Sequence, residues 1–150
     1  MIHSDPELQK LEETFGRVSD INIPGLTIRF KIDSFQPRVD AHRASLQKYQ
    51  NTIVEQVPEG DKIITLIKNC DLLFFPLDIS KENIKRIKYS MFTKMPAYMA
   101  SGIPVLFWGP ENVASVEYAK EENWAYVITK NDPEVLRNSI IELINNPVLR

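Results

Sequence analysis

The sequence has little glycine, one cysteine and no long apolar run, and each scarcity excludes a class of protein. Its 5 glycines form neither GxGxxG nor the P-loop pattern, so no glycine-rich loop around a phosphate is expected. The single cysteine, Cys70, cannot form an internal disulfide, which favours a reducing compartment. No apolar run approaches the roughly 20 residues that span a bilayer, and the N-terminus lacks a signal-peptide core. We therefore expect a cytoplasmic chain without a transmembrane segment.

Charge and histidine content exclude two further classes. The formal net charge of −2 gives no basic surface, so no nucleic-acid partner is expected. His3 and His42 stand apart from other ligand-type residues, so no metal site is predicted. The 150 residues suffice for one domain with a core, and Cys70, beside Ile67 on an apolar helical face, is predicted to pack there.

Strand patterns and helix patterns alternate along the chain. Strands are predicted at residues 26–32, 52–57, 72–76, 103–108 and 124–128, and helices at 5–15, 38–49, after the cap Asp61, and at 92–101, 111–122 and 133–145. The runs at 72–76 and 103–108 are apolar throughout, which is typical of strands buried on both faces. The alternation predicts an α/β fold, Rossmann-like, with a parallel sheet and helices on both faces.

A polar, basic loop is predicted at residues 78–90. Connections in such folds usually have two to six residues, whereas the one from Leu77 to Met91 has about 15. It leads into the predicted helix at 92–101, whose N-terminal N–H groups would favour a phosphate. Cations and hydroxyls accompany it: Lys81, Lys85, Arg86, Lys88, Ser90, Thr93 and Lys94. A solvated basic turn is the alternative interpretation.

Residues 93–119, TKMPAYMASGIPVLFWGPENVASVEYA, carry a family resemblance. They resemble a signature stretch of GT-B glycosyltransferases, enzymes with two facing Rossmann-like domains, and more narrowly the retaining group-1 family of bacterial surface polysaccharide biosynthesis. The matching positions are Lys94, Tyr98, Ala100, Gly102, Pro104, Val105, Gly109 and Pro110. The run from Asn69 to Pro76 is similar to the family's strand toward the donor site, and residues 132–150 are similar to its late helix.

The resemblance implies that residues 1–150 form a single domain, the donor-binding half of a glycosyltransferase. Its ligand would be a nucleoside diphosphate sugar, used as substrate without a cofactor or metal. The chain would be located in the cytoplasm or at the inner face of the membrane. The acceptor-binding half would be a separate, missing domain, so this chain alone is expected to be an inactive fragment. The family's first, central strand has no counterpart ahead of residue 5, and the open sheet edge this leaves predicts self-association.

The resemblance also implies a set of donor-binding residues, whereas it assigns no catalytic one. They are Pro76, Tyr89, Ser90, Met91, Phe92, Thr93, Lys94, Ala97, Gly109 and Pro110. The family's two donor-binding glutamates fall on Tyr89 and Ala97, and neither residue is acidic. This departure keeps a non-catalytic sugar-nucleotide-binding or scaffold module as an alternative function.

A receiver-like phosphoacceptor domain is a remote alternative. Asp33, Asp78 and Lys130 follow the first, third and fifth predicted strands, as the acidic, phosphoacceptor and lysine positions of receivers do. Arg29 and Lys31 lie in the first strand, where a central strand of a receiver is apolar, and this counts against it.

Five positions within the resembling stretch have predicted structural roles. Gly102 is expected to end a helix in the left-handed region. Pro110 is expected in the first turn of the following helix, with Glu111 and Asn112 as capping residues. Tyr98, in the middle of its helix, is expected to pack rather than to stack on a base.

Overall fold

The computed structural model describes residues 23–32, 36–46, 48, 49, 51–56, 60 and 62–149. Within these ranges strands alternate with helices, and the chain divides into two compact units, Met1–Gly60 and Asp61–Arg150. The predicted α/β class is confirmed, and its strands form two small parallel sheets. The predicted helix at 5–15 and the predicted cap Asp61 lie outside the described residues.

The first unit contains a two-stranded parallel sheet and one described helix. These elements are β1 (Ile28–Ile32), α1 (Gln36–Leu46) and β2 (Thr52–Gln56). Its buried core consists of Val39, Leu46 and Val54, with Ile28 and Tyr49 packed against it. Arg29 of β1 is exposed, and its guanidinium lies 3.5 Å from the Glu55 carboxylate.

The second unit is built on a three-stranded parallel sheet in the order β3-β4-β5. Its elements are α2 (Lys62–Lys68), β3 (Leu73–Pro76), α3 (Lys81–Ile87), α4 (Met95–Ala100), β4 (Val105–Trp108), α5 (Ala114–Glu121), β5 (Tyr126–Ile128), α6 (Pro133–Asn145) and a 3-10 turn at Pro147–Leu149. Every residue of β4 is buried, as predicted for its apolar run, because β3 and β5 flank it.

One face of this sheet packs against several helices of the same unit. Phe75 and Phe107 lie opposite each other in the β3–β4 register, with ring centroids 4.9 Å apart in an edge-on contact. The same core cluster takes in residues of α3, α4 and α5, namely Ile87, Met95, Val116 and Ala119. Two right-handed crossovers taken in the same direction along the sheet place their helices on one face, and the order β3-β4-β5 gives that arrangement.

The other face belongs to α6. The Tyr126 hydroxyl on β5 donates to the Glu142 carboxylate on α6 over 2.9 Å. The helix buries Leu136, Ile140 and Leu143, a stripe spaced for one helical face. Its predicted bounds are confirmed, and the Asp132 carboxylate caps it by accepting from the Glu134 N–H at 2.9 Å.

The prediction of a loop throughout residues 78–90 is wrong, because α3 lies within it. The Ser80 hydroxyl caps α3 by accepting from the Asn83 N–H at 3.4 Å, and the Asp78 carboxylate accepts from the Ser80 N–H at 2.8 Å. Asn83 and Ile87 turn inward and are buried, whereas the lysines of α3 face solvent. Basic residues dominate the composition of this segment, which is why a loop was predicted. Its two buried positions, Asn83 and Ile87, nevertheless recur at helical spacing.

Two further helices begin later than predicted. The helix expected at 92–101 begins at Met95, and the one expected at 111–122 begins at Ala114. Pro110 therefore lies outside the first helical turn, and neither Glu111 nor Asn112 is the N-cap, which is Val113; these predictions are wrong. Gly102 follows α4 with φ of 71°, which confirms its left-handed role.

Candidate functional site

A cleft of about 440 Å³ lies at the carboxyl edge of the three-stranded sheet. Residues from the segments that follow all three strands line it, together with one residue of α3. They are Ile79, Ile84, Pro110, Glu111, Thr129, Lys130 and Asn131. Parallel α/β sheets bind ligands beyond the carboxyl ends of their strands, which makes this cleft the candidate site.

Glu111 connects the segment after β4 to the segment after β5, and both segments line the cleft. Its carboxylate accepts from the Thr129 hydroxyl at 3.1 Å and lies 3.9 Å from the Lys120 ammonium on α5. Asn112, the next residue, has φ of 62°, so the chain turns sharply behind Glu111. A carboxylate held in this way keeps lone pairs for further donors such as the hydroxyls of a sugar or ribose.

Lys130 supplies the positive charge of the cleft. The indole N–H of buried Trp108 donates to the Lys130 carbonyl at 2.9 Å, which fixes the backbone of the loop after β5. The Lys130 side chain is exposed, and it forms no ion pair with any residue that the structure describes. Its ammonium is therefore available to an anionic ligand.

The segment after β3, which also lines the cleft, is held in place by hydrogen bonds around Asp78. The Asn83 amide donates to the Asp78 carbonyl at 2.8 Å, and the Ser80 hydroxyl donates to the Asp78 carboxylate at 3.1 Å. These contacts join the segment after β3 to α3, so Ile79 and Ile84 present a stable apolar surface to the cleft. An apolar wall opposite hydrogen-bonding groups and a cation suits a ligand with one flat apolar part and one anionic part.

Three of the residues predicted to bind the donor lie at this edge. Pro110 lines the cleft. Gly109 is buried directly before it, and its N–H donates to the Ile128 carbonyl at 3.0 Å. Pro76 ends β3 opposite Trp108 in the sheet register.

The other predicted residues lie in the segment between α3 and α4, except Ala97, which lies in α4, and none of them lines the cleft. Tyr89, Met91, Thr93, Lys94 and Ala97 are exposed. Phe92 packs edge-on against Phe75 at 5.6 Å, and the Ser90 N–H donates to the Ile87 carbonyl at 2.8 Å. The helix that follows has Lys94 at its N-cap position without a side-chain cap and contains only 6 residues.

Tyr98 packs as predicted, since its ring meets Phe75 edge-on at 5.6 Å. Burial raises the pKa of Tyr98 above its ordinary value, and the neighbouring Cys70 thiol adds to that rise. Cys70 is half-buried against the same core cluster, and its Sγ lies 3.4 Å from the Leu66 carbonyl oxygen. Both residues therefore contribute to packing.

The polar lining of the cleft could have been found from the strand ends. Glu111 follows β4 within three residues, and Thr129 and Lys130 come directly after β5. The sequence prediction instead placed the ligand at the basic segment 81–88 and the helix after it. Positions at the carboxyl edge of the sheet are nevertheless the general ligand positions of this fold class.

Neither a metal centre nor a phosphoacceptor site is assembled by the described residues. No group of three or more His, Cys, Asp or Glu side chains suited to a metal occurs among them. Asp33, required by the receiver-like alternative, lies outside them, and the Asp78 carboxylate is engaged by Ser80. No helix within the described ranges is both long enough and apolar enough to cross a bilayer.

Compared with protein-family models, with curated proteins and with solved structures, the chain matches none. The function therefore has to be argued from the cleft and from the sequence resemblance.

Proposed function

We propose that this chain binds a nucleoside diphosphate sugar in the carboxyl-edge cleft and serves as the donor-binding half of a glycosyltransferase. The observation that carries the proposal is the position of Pro110. The Gly109-Pro110 pair belongs to the stretch that resembles the glycosyltransferase family, and Pro110 lines the cleft. The sequence resemblance and the general ligand position of parallel sheets thus point to the same place.

The polar groups of the cleft match the parts of such a donor. Lys130 would contact the diphosphate, since an ammonium is a good partner for phosphate oxygens. The Glu111 carboxylate would accept hydrogen bonds from sugar or ribose hydroxyls. Tyr89 and Ala97, which stand at the positions of the family's donor-binding glutamates, have no carboxylate for this role. Ile79, Ile84 and Pro110 would cover the apolar face of the base or sugar.

In the transfer itself, the bond from the sugar's anomeric carbon to the diphosphate breaks and a bond to an acceptor oxygen forms as that oxygen loses its proton. The diphosphate leaves with the electron pair and takes up the acceptor's proton, and Lys130 would stabilise the charge that develops on it. The acceptor and its hydroxyl would be held by a second domain, so catalysis is proposed for the joined halves. A non-catalytic binding module would use the same cleft and bind the same donor without transfer.

The strand pairing supports the fold class equally for both α/β alternatives. Parallel strand pairing is common to the nucleotide-binding and the receiver-like folds of this class. The receiver-like function is disfavoured by the engagement of Asp78 with Ser80. Incubation with acetyl phosphate tests it, since a receiver would gain an acid-labile phosphoryl group on Asp78.

Ligand-observed NMR on the chain tests the main proposal. UDP, GDP, TDP, ADP and CMP, free and as sugar conjugates, would be compared for saturation transfer. We expect one nucleoside diphosphate to bind, and Lys130→Gln to weaken it about tenfold through loss of a charged hydrogen bond. Lys94→Gln is the matched control, an exposed lysine of the same unit that does not line the cleft.

Two results would contradict the proposal. Absence of binding to every nucleotide would remove the donor site. Weakening by Lys94→Gln together with unchanged binding by Lys130→Gln would place the diphosphate on the segment between α3 and α4, away from the cleft.

A further inference from the structure

The segment after α3 exposes large side chains that the cleft does not use. Tyr89 is 83 % exposed and Met91 is 53 % exposed. Phe92, the next residue, packs into the core and anchors the segment. An aromatic and an apolar side chain are therefore presented to solvent from one anchored segment.

Cations precede and follow these two side chains along the chain. Lys81 and Lys85 recur at the spacing of one helical face on α3, opposite the buried Asn83 and Ile87, and Lys88 follows at the C-cap position. Arg86 and Lys94 extend the positive charge, and Glu82 is the one acid within residues 81–94. We define the basic patch by Lys81, Lys85, Lys88, Tyr89, Met91 and Lys94. The patch is strongly positive in a chain whose formal net charge is −2.

The lysines of the basic patch have no internal partners that would neutralise them. None of the four forms an ion pair with any residue in the described part of the chain. The Lys88 ammonium lies 5.3 Å from the centroid of the Tyr89 ring, so a cation and an aromatic face are presented together. Structural ion pairing therefore does not account for this charge.

We propose that the basic patch docks this chain onto an anionic lipid surface. Tyrosine has a ring and a hydroxyl that suit the boundary between headgroups and acyl chains, and Met91 adds an apolar side chain at the same level. Lysines beside such a wedge attract anionic headgroups, each contributing about 1 kcal/mol near the surface. The proposal is independent of the nucleotide-sugar function, because the patch and the cleft share no residue.

A single-stranded nucleic acid is the competing occupant, and the patch suits it less well. Such ligands require aromatic platforms on which successive bases stack. Tyr89 is the one exposed aromatic residue of the patch, and Met91 has no role in base stacking. Apolar and basic side chains side by side fit a lipid interface better.

Vesicle flotation of the chain tests the proposal. Vesicles of phosphatidylcholine alone would be compared with vesicles mixed equally with phosphatidylglycerol, at low and at high salt. We expect binding to the mixed vesicles only, weakened by salt. Lys85→Gln and Lys88→Gln should each weaken binding about fivefold, and Tyr89→Ser and Met91→Ser should weaken it further.

Matched variants separate the patch from general surface effects. Val148→Ser removes an apolar side chain that is 91 % exposed, and Lys68→Gln removes an exposed lysine of α2. Both should leave vesicle binding unchanged. The conservative Tyr89→Trp provides a direct reporter, whose emission should shift to shorter wavelength with the mixed vesicles.

Four outcomes would overturn the proposal. They are no binding to mixed vesicles, equal binding to both vesicle types, equal loss in the control variants, and tight binding of an oligonucleotide without any vesicle binding. Loss of vesicle binding in Lys88→Gln with unchanged nucleotide binding would support docking of the basic patch on lipid. The function of the cleft would then be decided separately by the NMR experiment with nucleotides.

Discussion

Gly109 and Val116 lie so close that a methyl group on Gly109 would be 2.9 Å from Val116 Cγ2. Gly109 follows β4 directly, and Val116 is a fully buried residue of α5. The missing side chain therefore lets α5 approach the end of the central strand. This approach fixes the turn that carries Pro110 into the cleft.

Gly109→Ala should destabilise the chain by about 1–3 kcal/mol, the usual cost of adding a methyl group to a filled core. Val116 is β-branched and cannot rotate away freely. The change in free energy of unfolding can be measured by urea denaturation. Gly102→Ala provides a comparison at an open glycine, where a Cβ meets nothing within 4 Å and only the positive φ opposes the change.

A double-mutant cycle identifies the contact. Val116→Ala alone leaves a cavity, whereas in combination with Gly109→Ala it makes room for the new methyl group. We expect the double variant to be less destabilised than the sum of the two single variants. Strict additivity would show that Val116 is not what opposes a side chain at Gly109.

The fold was predictable where local signals agree, as α6 shows. Asp132 caps it, Pro133 opens it and its apolar residues recur at helical spacing. In α3 the same kind of signal is present but brief, because the helix has 7 residues and only Asn83, Ile84 and Ile87 turn inward. Whether such a short amphipathic segment forms a helix depends on the core it meets, which the sequence pattern alone does not show.

The cap of α3 can be tested by Ser80→Ala. The variant loses the hydrogen bond from the Asn83 N–H and the donation to Asp78. We expect a loss of about 1 kcal/mol in stability. Hydrogen exchange should rise in the first turn of α3, and Ser80→Thr should retain most of the protection. Unchanged exchange in Ser80→Ala would show that packing of Ile87 alone maintains the helix.

The candidate site was predictable in part. The Gly109-Pro110 turn was identified from the sequence, whereas Thr129 and Asn131 gave no local signal. These residues are separated along the chain and converge only because parallel strands end at one edge. In contrast, the family resemblance placed Tyr89 and Met91 among the donor-binding residues, and the structure shows both exposed beside Phe92, which packs into the core.

Stability should fall at high pH through Tyr98. Its folded-state pKa lies above the ordinary value of 10.0, first because of burial and second because of Cys70. The folded state therefore binds the phenol proton more tightly than the unfolded chain does. This contribution is fully present below the unfolded-state pKa and is lost as the pH rises through the folded-state pKa.

Tyr98→Phe keeps the edge-on contact with Phe75 and removes the titrating group. Its free energy of unfolding should fall less steeply above pH 10.0 than that of the unaltered chain. Cys70→Ala should lower the titration midpoint of Tyr98, which tyrosinate absorbance can follow. Parallel pH profiles for the unaltered chain and Tyr98→Phe would contradict the assignment.

Ser115 and Ser139 are buried serines that should respond oppositely to replacement by alanine. The Ser115 hydroxyl on α5 is buried without a hydrogen-bond partner in the described part of the chain, whereas Ser139 on α6 is a polar neighbour of the Tyr126 hydroxyl. Burying an unpaired hydroxyl costs roughly 1–3 kcal/mol, so Ser115→Ala should stabilise the chain by about 1 kcal/mol. Ser139→Ala gains the same helix propensity but removes a polar neighbour of the Tyr126 hydroxyl, so it should be neutral or destabilising. Urea denaturation of both variants compares them directly, and destabilisation by Ser115→Ala would mean that its hydroxyl has a partner after all.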